Sequence, residues 1–148
     1  MPDDSAAPSP DIPSRVGELD HFVSQTVKGK KVIFAGRHLL LEFWGCTNLD
    51  KIKLVRRALK KAAEKAGATF LSSRLHRFEP SGGVSGVVVL AESHISIHTW
   101  PERGYAALDI FMCGNAKPHK AIPILKEAFK PTEIETMTRR RGRIRNRT

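Results

Sequence analysis

The 148-residue chain has two cysteines, one tyrosine and no apolar run approaching the roughly 18 residues of a membrane-spanning helix. Cys46 and Cys113 can form at most one bridge and stand in no CxxC spacing, which excludes a disulfide framework and a ribbon-type metal site; both thiols are expected to be reduced. The opening MPDDSAAPSPD is acidic and proline-rich where a secretory leader would be basic and then apolar, so a cytoplasmic location is the default expectation. Acid is missing from the other end: RRRGRIRNRT, residues 139–148, holds six arginines and no carboxylate. Most of the net charge of +10 sits there, leaving +4 on the preceding 138 residues. A basic terminus of this kind is ordinarily a solvated tail, and weak contact with nucleic-acid phosphates is its other use.

What remains is the composition of a globular domain, with 41% apolar and 27% charged residues in a length that suits one core. Residues 1–30 carry four of the nine prolines and no sustained apolar period, and read as a flexible extension with a short helix around Val16 to Val27. KVIFAGRHLLLEFWGC is rich in β-formers, enough for one or two strands, and runs into TNLD, a helix-start cluster. Ile52, Val55, Leu59, Ala62, Ala63 and Ala66 recur at helical spacing, opposite a face of lysines and arginines, until Gly67 supplies a stop. Short β-like runs follow: ATFLSSRLHRF, VSGVVVLA, SHISIHTW and YAALDIFMC, with EPSGG after the first and PERG before the last. A second helix over roughly Pro118 to Phe129 contains Pro123, expected to weaken or kink it, and EIETMTR alternates as a closing strand. Strands grouped between two helices predict an α+β two-layer sandwich, mainly antiparallel, with both helices on one sheet face. The domain is expected over 31–138, followed by the basic tail 139–148.

The stretch AESHISIHTWPE, residues 91–102, carries the chemistry. In a strand, Ile95 and Ile97 face one side while His94, Ser96 and His98 face the other. A half-exposed strand with solvated histidines accounts for that alternation alone. It does not account for Glu92-Ser93 interrupting the register after GVVVLA, beside a glycine-rich turn and Ser85, with Cys113 closing the following strand. A hydrolase using Ser93 lacks the GxSxG turn and an aspartate to orient its base. A metal held by His94 and His98 fails because four strand residues span about 13 Å at ~3.3 Å rise. No phosphate-cradling glycine pattern is present. Chemistry performed on the chain itself is left.

The segment GVSGVVVLAESHISIHTWPERGYAALDIFMCG, residues 83–114, closely resembles the core of the prokaryotic S-adenosylmethionine decarboxylase proenzymes, a pyruvoyl-dependent family that feeds spermidine synthesis. GRHLLLEFWGC and SSRLHRF match the same pattern, so the resemblance runs from about Gly36 to Gly114, more loosely through the second helix. It implies that the hydroxyl of Ser93 attacks the Glu92 carbonyl and turns the amide into an ester, with Ser85 steadying the oxyanion and His98 removing the Ser93 α-proton. Elimination then leaves one chain ending at Glu92 and another beginning with a pyruvoyl group. That group would form a Schiff base with the substrate amine and replace pyridoxal phosphate, with no metal, while Cys113 protonates the product carbanion. By the same resemblance Phe78 stacks on the adenine and Glu102 binds the ribose, and two cleaved protomers associate as a homodimer. Trp44 and Trp100 are expected to serve packing. A pyruvoyl-dependent arginine or ornithine decarboxylase on the same scaffold is the competing reading, and a nucleic-acid binder acting through the arginine-rich tail a weaker one.

Overall fold

Period-two alternation folds most of the chain into one antiparallel sheet of seven strands in a computed structural model that describes residues 22–144. In chain order the elements are β1 (Val23–Val27), β2 (Lys30–Trp44), α1 (Ile52–Lys65), β3 (Phe70–Arg77), β4 (Val84–Leu90), β5 (Ser93–Trp100), β6 (Tyr105–Cys113), α2 (Ala121–Phe129) and β7 (Glu133–Arg143). The strand order is β1-β2-β6-β5-β4-β3, and β7 lies along the edge of β2 opposite β6. Leu39, Leu41 and Phe43 of β2, Ile95 and Ile97 of β5, and Leu108 and Ile110 of β6 point to one face. There they pack against Val55, Leu59 and Ala62 of α1 and Leu125 and Phe129 of α2. Both helices cover that face, as the α+β sandwich expected from the sequence requires. The other face carries no layer among the described residues, and Val89, Trp100 and Met137 on it are 40–50% exposed. No helix among the described residues is long and apolar enough to cross a membrane.

Several expectations change at the element ends. Residues 1–21 lie outside the described residues, but the rest of the anticipated extension contains β1, paired with β2 from Val23↔Phe34 to Val27↔Lys30. Strand pairing therefore replaces the helix expected through Val27. Its anchors are Val23, Val32 and Phe34, which form a second small buried cluster. The arginine run is likewise not a free tail up to Arg143: it continues β7, with Arg139 opposite His38 and Arg141 opposite Gly36. Residues 145–148 lie outside the described residues. Helix α1 has Lys51 at its N-cap without a side-chain cap. Asn48 of the TNLD cluster instead takes a left-handed φ of 64° and donates to the Ala128 carbonyl at 3.0 Å. Pro123 is the third residue of α2, where the backbone N–H has no intrahelical acceptor in any case, so it causes no kink. The apolar run of β4 is not buried on both sides, because Val89 faces the uncovered side of the sheet.

The β4–β5 hairpin positions everything that follows. Leu90 pairs with Ser93, so Ala91 and Glu92 form a two-residue connection. Glu92 takes φ 59°, a conformation that costs a non-glycine residue about 1–3 kcal/mol. At the other end of the pair, Thr99 is buried among apolar neighbours. Its hydroxyl donates to the Leu49 carbonyl and accepts from the Val84 N–H, both at 2.8 Å, tying β4 and β5 to the approach to α1. Gly86 lets β3 lie close, since a Cβ there would sit 2.2 Å from the Arg74 carbonyl oxygen.

Candidate active site

Register across β4, β5 and β6 divides the sequence-derived site residues into two groups at opposite ends of β5. Ser93 opens β5 immediately after the left-handed Glu92, and the backbone N–H of Cys113 donates to its Oγ at 3.2 Å. The Glu92–Ser93 peptide, the Ser93 hydroxyl and Cys113 thus share one edge. Burial, and after it the charge of Glu92, holds the Cys113 thiol above its ordinary pKa, so it carries its proton at neutral pH. Such a thiol is a proton donor rather than a thiolate nucleophile. Cys46, pushed up to about 11 by burial, is likewise inert; its backbone N–H binds the Gly104 carbonyl at 2.8 Å.

The second group lies at the opposite end of β5. Ser85 and His98 are register partners, and Ser85 Oγ is 2.9 Å from His98 Nδ1. Phe78 belongs to the turn before β4, half exposed, edge-on to His76 with centroids 4.5 Å apart. Glu102 sits in the 3-10 turn Pro101–Arg103 that follows β5. Ser93 and His98 lie five positions apart along the strand, roughly 16 Å at ~3.3 Å per residue. One chain therefore brings Ser93 to Cys113 and Ser85 to His98, and keeps the two pairs apart.

Polar groups that the sequence did not single out fill the space between. Ser96 donates to Asp109 at 3.4 Å, His38 Nε2 lies 3.7 Å from Asp109 Oδ1, and Arg141 Nη1 lies 3.3 Å from His38 Nδ1. His38 Nε2 is buried without a hydrogen-bond partner among the described residues. Outward parity in HLLLEFW was a usable signal for His38, whereas Asp109 gains meaning only from the register of β2 with β6. Trp100, expected in packing, is 40% exposed and stacks on Tyr105 at 5.2 Å; Tyr105 stacks in turn against Trp44 at 6.1 Å. The Tyr105 hydroxyl donates to Glu42, and burial followed by that contact pushes its pKa up to about 12. Among the described residues no group of three or more His, Cys, Asp or Glu side chains could hold a metal ion.

Comparison with known proteins adds a family to this geometry. A family model described as S-adenosylmethionine decarboxylase matches residues 37–142, from the middle of β2 to the end of β7. The S-adenosylmethionine decarboxylase proenzyme of Thermomicrobium roseum is 47% identical over 110 residues, which cover 74% of this chain and 95% of that one. The proenzyme of the same description from Thermotoga maritima is 50% identical over 111 residues, 73% of this chain and 85% of that one. The crystal structure of the adenosylmethionine decarboxylase from Aquifex aeolicus superposes with a TM-score of 0.69 at 34% identity, covering 76% of this chain and 95% of that chain. With the matched segment spanning nearly all of β2 through β7 and containing both halves of the site, the chain belongs to the S-adenosylmethionine decarboxylase family.

Proposed function

We propose that the chain releases carbon dioxide from S-adenosylmethionine, using a pyruvoyl group made from its own Ser93. The observation that carries this reading is the Glu92–Ser93 hairpin: a peptide preceded by a left-handed glutamate, next to a serine Oγ that a backbone N–H holds in place. Ser93 Oγ adds to the Glu92 carbonyl carbon to give a tetrahedral oxyanion, collapse of that oxyanion breaks the C–N bond and leaves an ester, and the proton moves from oxygen to nitrogen. Removal of the Ser93 α-proton then expels Glu92 as a carboxylate and leaves a dehydroalanine. Water enters and ammonia leaves, giving the new terminal ketone. The two product chains stay together because β4 and β5 remain paired from Ser85↔His98 to Val89↔His94.

His98 and Ser85 fit the base and the oxyanion donor, but not toward the Ser93 of their own chain. A base role for His98 Nε2 requires its Nδ1–H to donate to Ser85 Oγ, which frees the Ser85 O–H for a developing oxyanion. Two subunits with their uncovered sheet faces together, related by a two-fold axis crossing β5 near Ser96, exchange the ends of that strand. His98, Ser85, Phe78 and Glu102 of one subunit then meet Ser93 and Cys113 of the other. The exposed Val89, Trp100 and Met137 supply apolar area for that contact.

A pyruvoyl group in place of Ser93 would supply a carbonyl for the substrate amine and an electron sink for the pair left by departing carbon dioxide. Cys113, protonated at neutral pH, returns a proton to carbon. Phe78 offers a ring face to the adenine, and Glu102 offers a carboxylate to the ribose hydroxyls and the sulfonium charge. The test is carbon dioxide release by the purified, self-cleaved protein from carboxyl-labelled S-adenosylmethionine, arginine and ornithine in parallel. Release from the sulfonium substrate alone is expected; release from arginine or ornithine in its place would overturn the substrate assignment.

A further inference from the structure

A concentration of positive charge lies on side chains that the proposed reaction does not use. A groove of about 980 Å³ runs between the β1–β2 hairpin, the last part of β7 and the segment ahead of α2. Seven of its thirteen lining residues are lysine or arginine, and none is aspartate or glutamate. Lys28 and Lys30 come from the hairpin, Arg37 from β2, Lys117 from the segment before α2, and Arg140 and Arg143 from β7. No carboxylate among the described residues forms an ion pair with any of the seven. A cluster of like charges without counter-ions among the described residues raises the energy of the folded state, and a bound polyanion would relieve it.

Two of the arginines are held in place. The guanidinium groups of Arg37 and Arg140 lie 5.8 Å and 6.0 Å from the centroid of the buried Phe34 ring. Arg140 Nε donates to Gln25 Oε1 at 3.1 Å, which leaves its two Nη groups as fixed donors. A guanidinium so fixed loses little freedom when an oxyanion binds.

We infer that this groove binds the phosphodiester backbone of a nucleic acid without reading its bases. Seven cations exceed what one phosphate or a triphosphate can neutralise, and they match a chain of regularly spaced charges. None of the lining residues is Phe, Tyr or Trp, and His119 is the one aromatic ring among them, so the groove offers no row of platforms for successive stacked bases. A cationic substrate is repelled from it, which separates it from the decarboxylase site. Arg37 and Thr138, opposite Arg140 and Leu39 in the β2–β7 ladder, place that part of the groove on the helix-bearing side of the sheet. The uncovered face stays available to a second subunit.

The test is fluorescence anisotropy of full-length, self-cleaved protein with labelled single-stranded RNA 20-mers of unrelated sequence, titrated at rising salt. About five contacted phosphates give a slope of log affinity against log salt near −3.5, a roughly hundredfold loss from about 50 to about 200 mM. Affinity should not depend on sequence. Lys30→Glu/Lys117→Glu, at two exposed positions, should weaken binding at least about tenfold and flatten the slope by about 1.4. Arg140→Gln should act in the same direction. Lys53→Glu/Lys65→Glu on α1 makes the same change in net charge and should leave binding nearly unaltered. Self-cleavage of every variant, read by mass, separates a folding failure from a binding loss and does not depend on RNA. Absence of salt-dependent binding, equal loss in the α1 variant, or competition by inorganic triphosphate as effective as unlabelled RNA at matched phosphate concentration would each overturn the inference.

Discussion

Mixing two inactive chains tests whether the halves of the site come from different subunits. A Ser93→Ala chain keeps His98 and Ser85 but cannot break itself; a His98→Ala chain keeps Ser93 but lacks the base. Each purified alone should remain one uncut chain. Along β5 the two residues are roughly 16 Å apart, several times the reach of a direct proton transfer, so neither chain can be rescued from within. Co-expressed at equal levels and paired at random, about half of the dimers are mixed, and in each the His98 of the Ser93→Ala subunit faces the Ser93 of the other. Cleavage should then reach about half of the His98→Ala chains, about a quarter of all chains, and none of the Ser93→Ala chains. Intact-mass spectra of co-purified, differently tagged chains give these fractions directly. If mixed preparations remain uncut while wild type cleaves, the two-subunit site is wrong. If His98→Ala cleaves alone at the wild-type rate, His98 is not the base.

Other substitutions separate the roles further. Ser85→Ala should slow self-cleavage by about 10²- to 10³-fold, the usual effect of losing an oxyanion donor, followed by mass in a time course; a rate within twofold of wild type would leave Ser85 only a surface hydroxyl. Cys113→Ala should still cleave, yet turnover should fall by about 10²- to 10⁴-fold in a carbon dioxide assay. Because burial and Glu92 raise the thiol's pKa, the donor is protonated at neutral pH, so wild-type activity should be lost as pH rises through that raised value, with no acid-side loss from this group. Cys113→Ser should abolish that alkaline limb, and an unchanged pH profile would remove Cys113 from the reaction. Thr99→Val leaves the buried Val84 N–H and Leu49 carbonyl without partners and should cost about 2–4 kcal/mol in denaturant unfolding of the uncut Ser93→Ala background.

The sheet and its two helices were legible because their signals are local and redundant. Ile95 and Ile97 alternate with His94, Ser96 and His98, and the α1 apolar positions repeat at helical spacing. Thr99 was readable too, as a polar residue in inward phase with Ile95 and Ile97, yet its purpose depends on Leu49, fifty positions away. The ends were misread for a physical reason. A run of arginines looks like a solvated tail until an edge of β2 accepts its backbone, and composition cannot reveal that edge. Likewise the glutamate before Ser93 gives no sign in the sequence of its left-handed backbone, which follows from two-residue closure of the hairpin. The separation of Ser93 from His98 was implicit in the spacing of a strand, the same arithmetic that excluded a metal between His94 and His98.

Whether the polypeptide breaks itself between Glu92 and Ser93 is best measured by intact mass under denaturing conditions. Wild type should give two chains, one ending at Glu92 and one beginning with a residue 93 that has lost its amine and gains two mass units on borohydride reduction, while Ser93→Ala stays whole. A wild-type protein that turns over substrate as one continuous chain, with nothing for borohydride to reduce, would contradict the account.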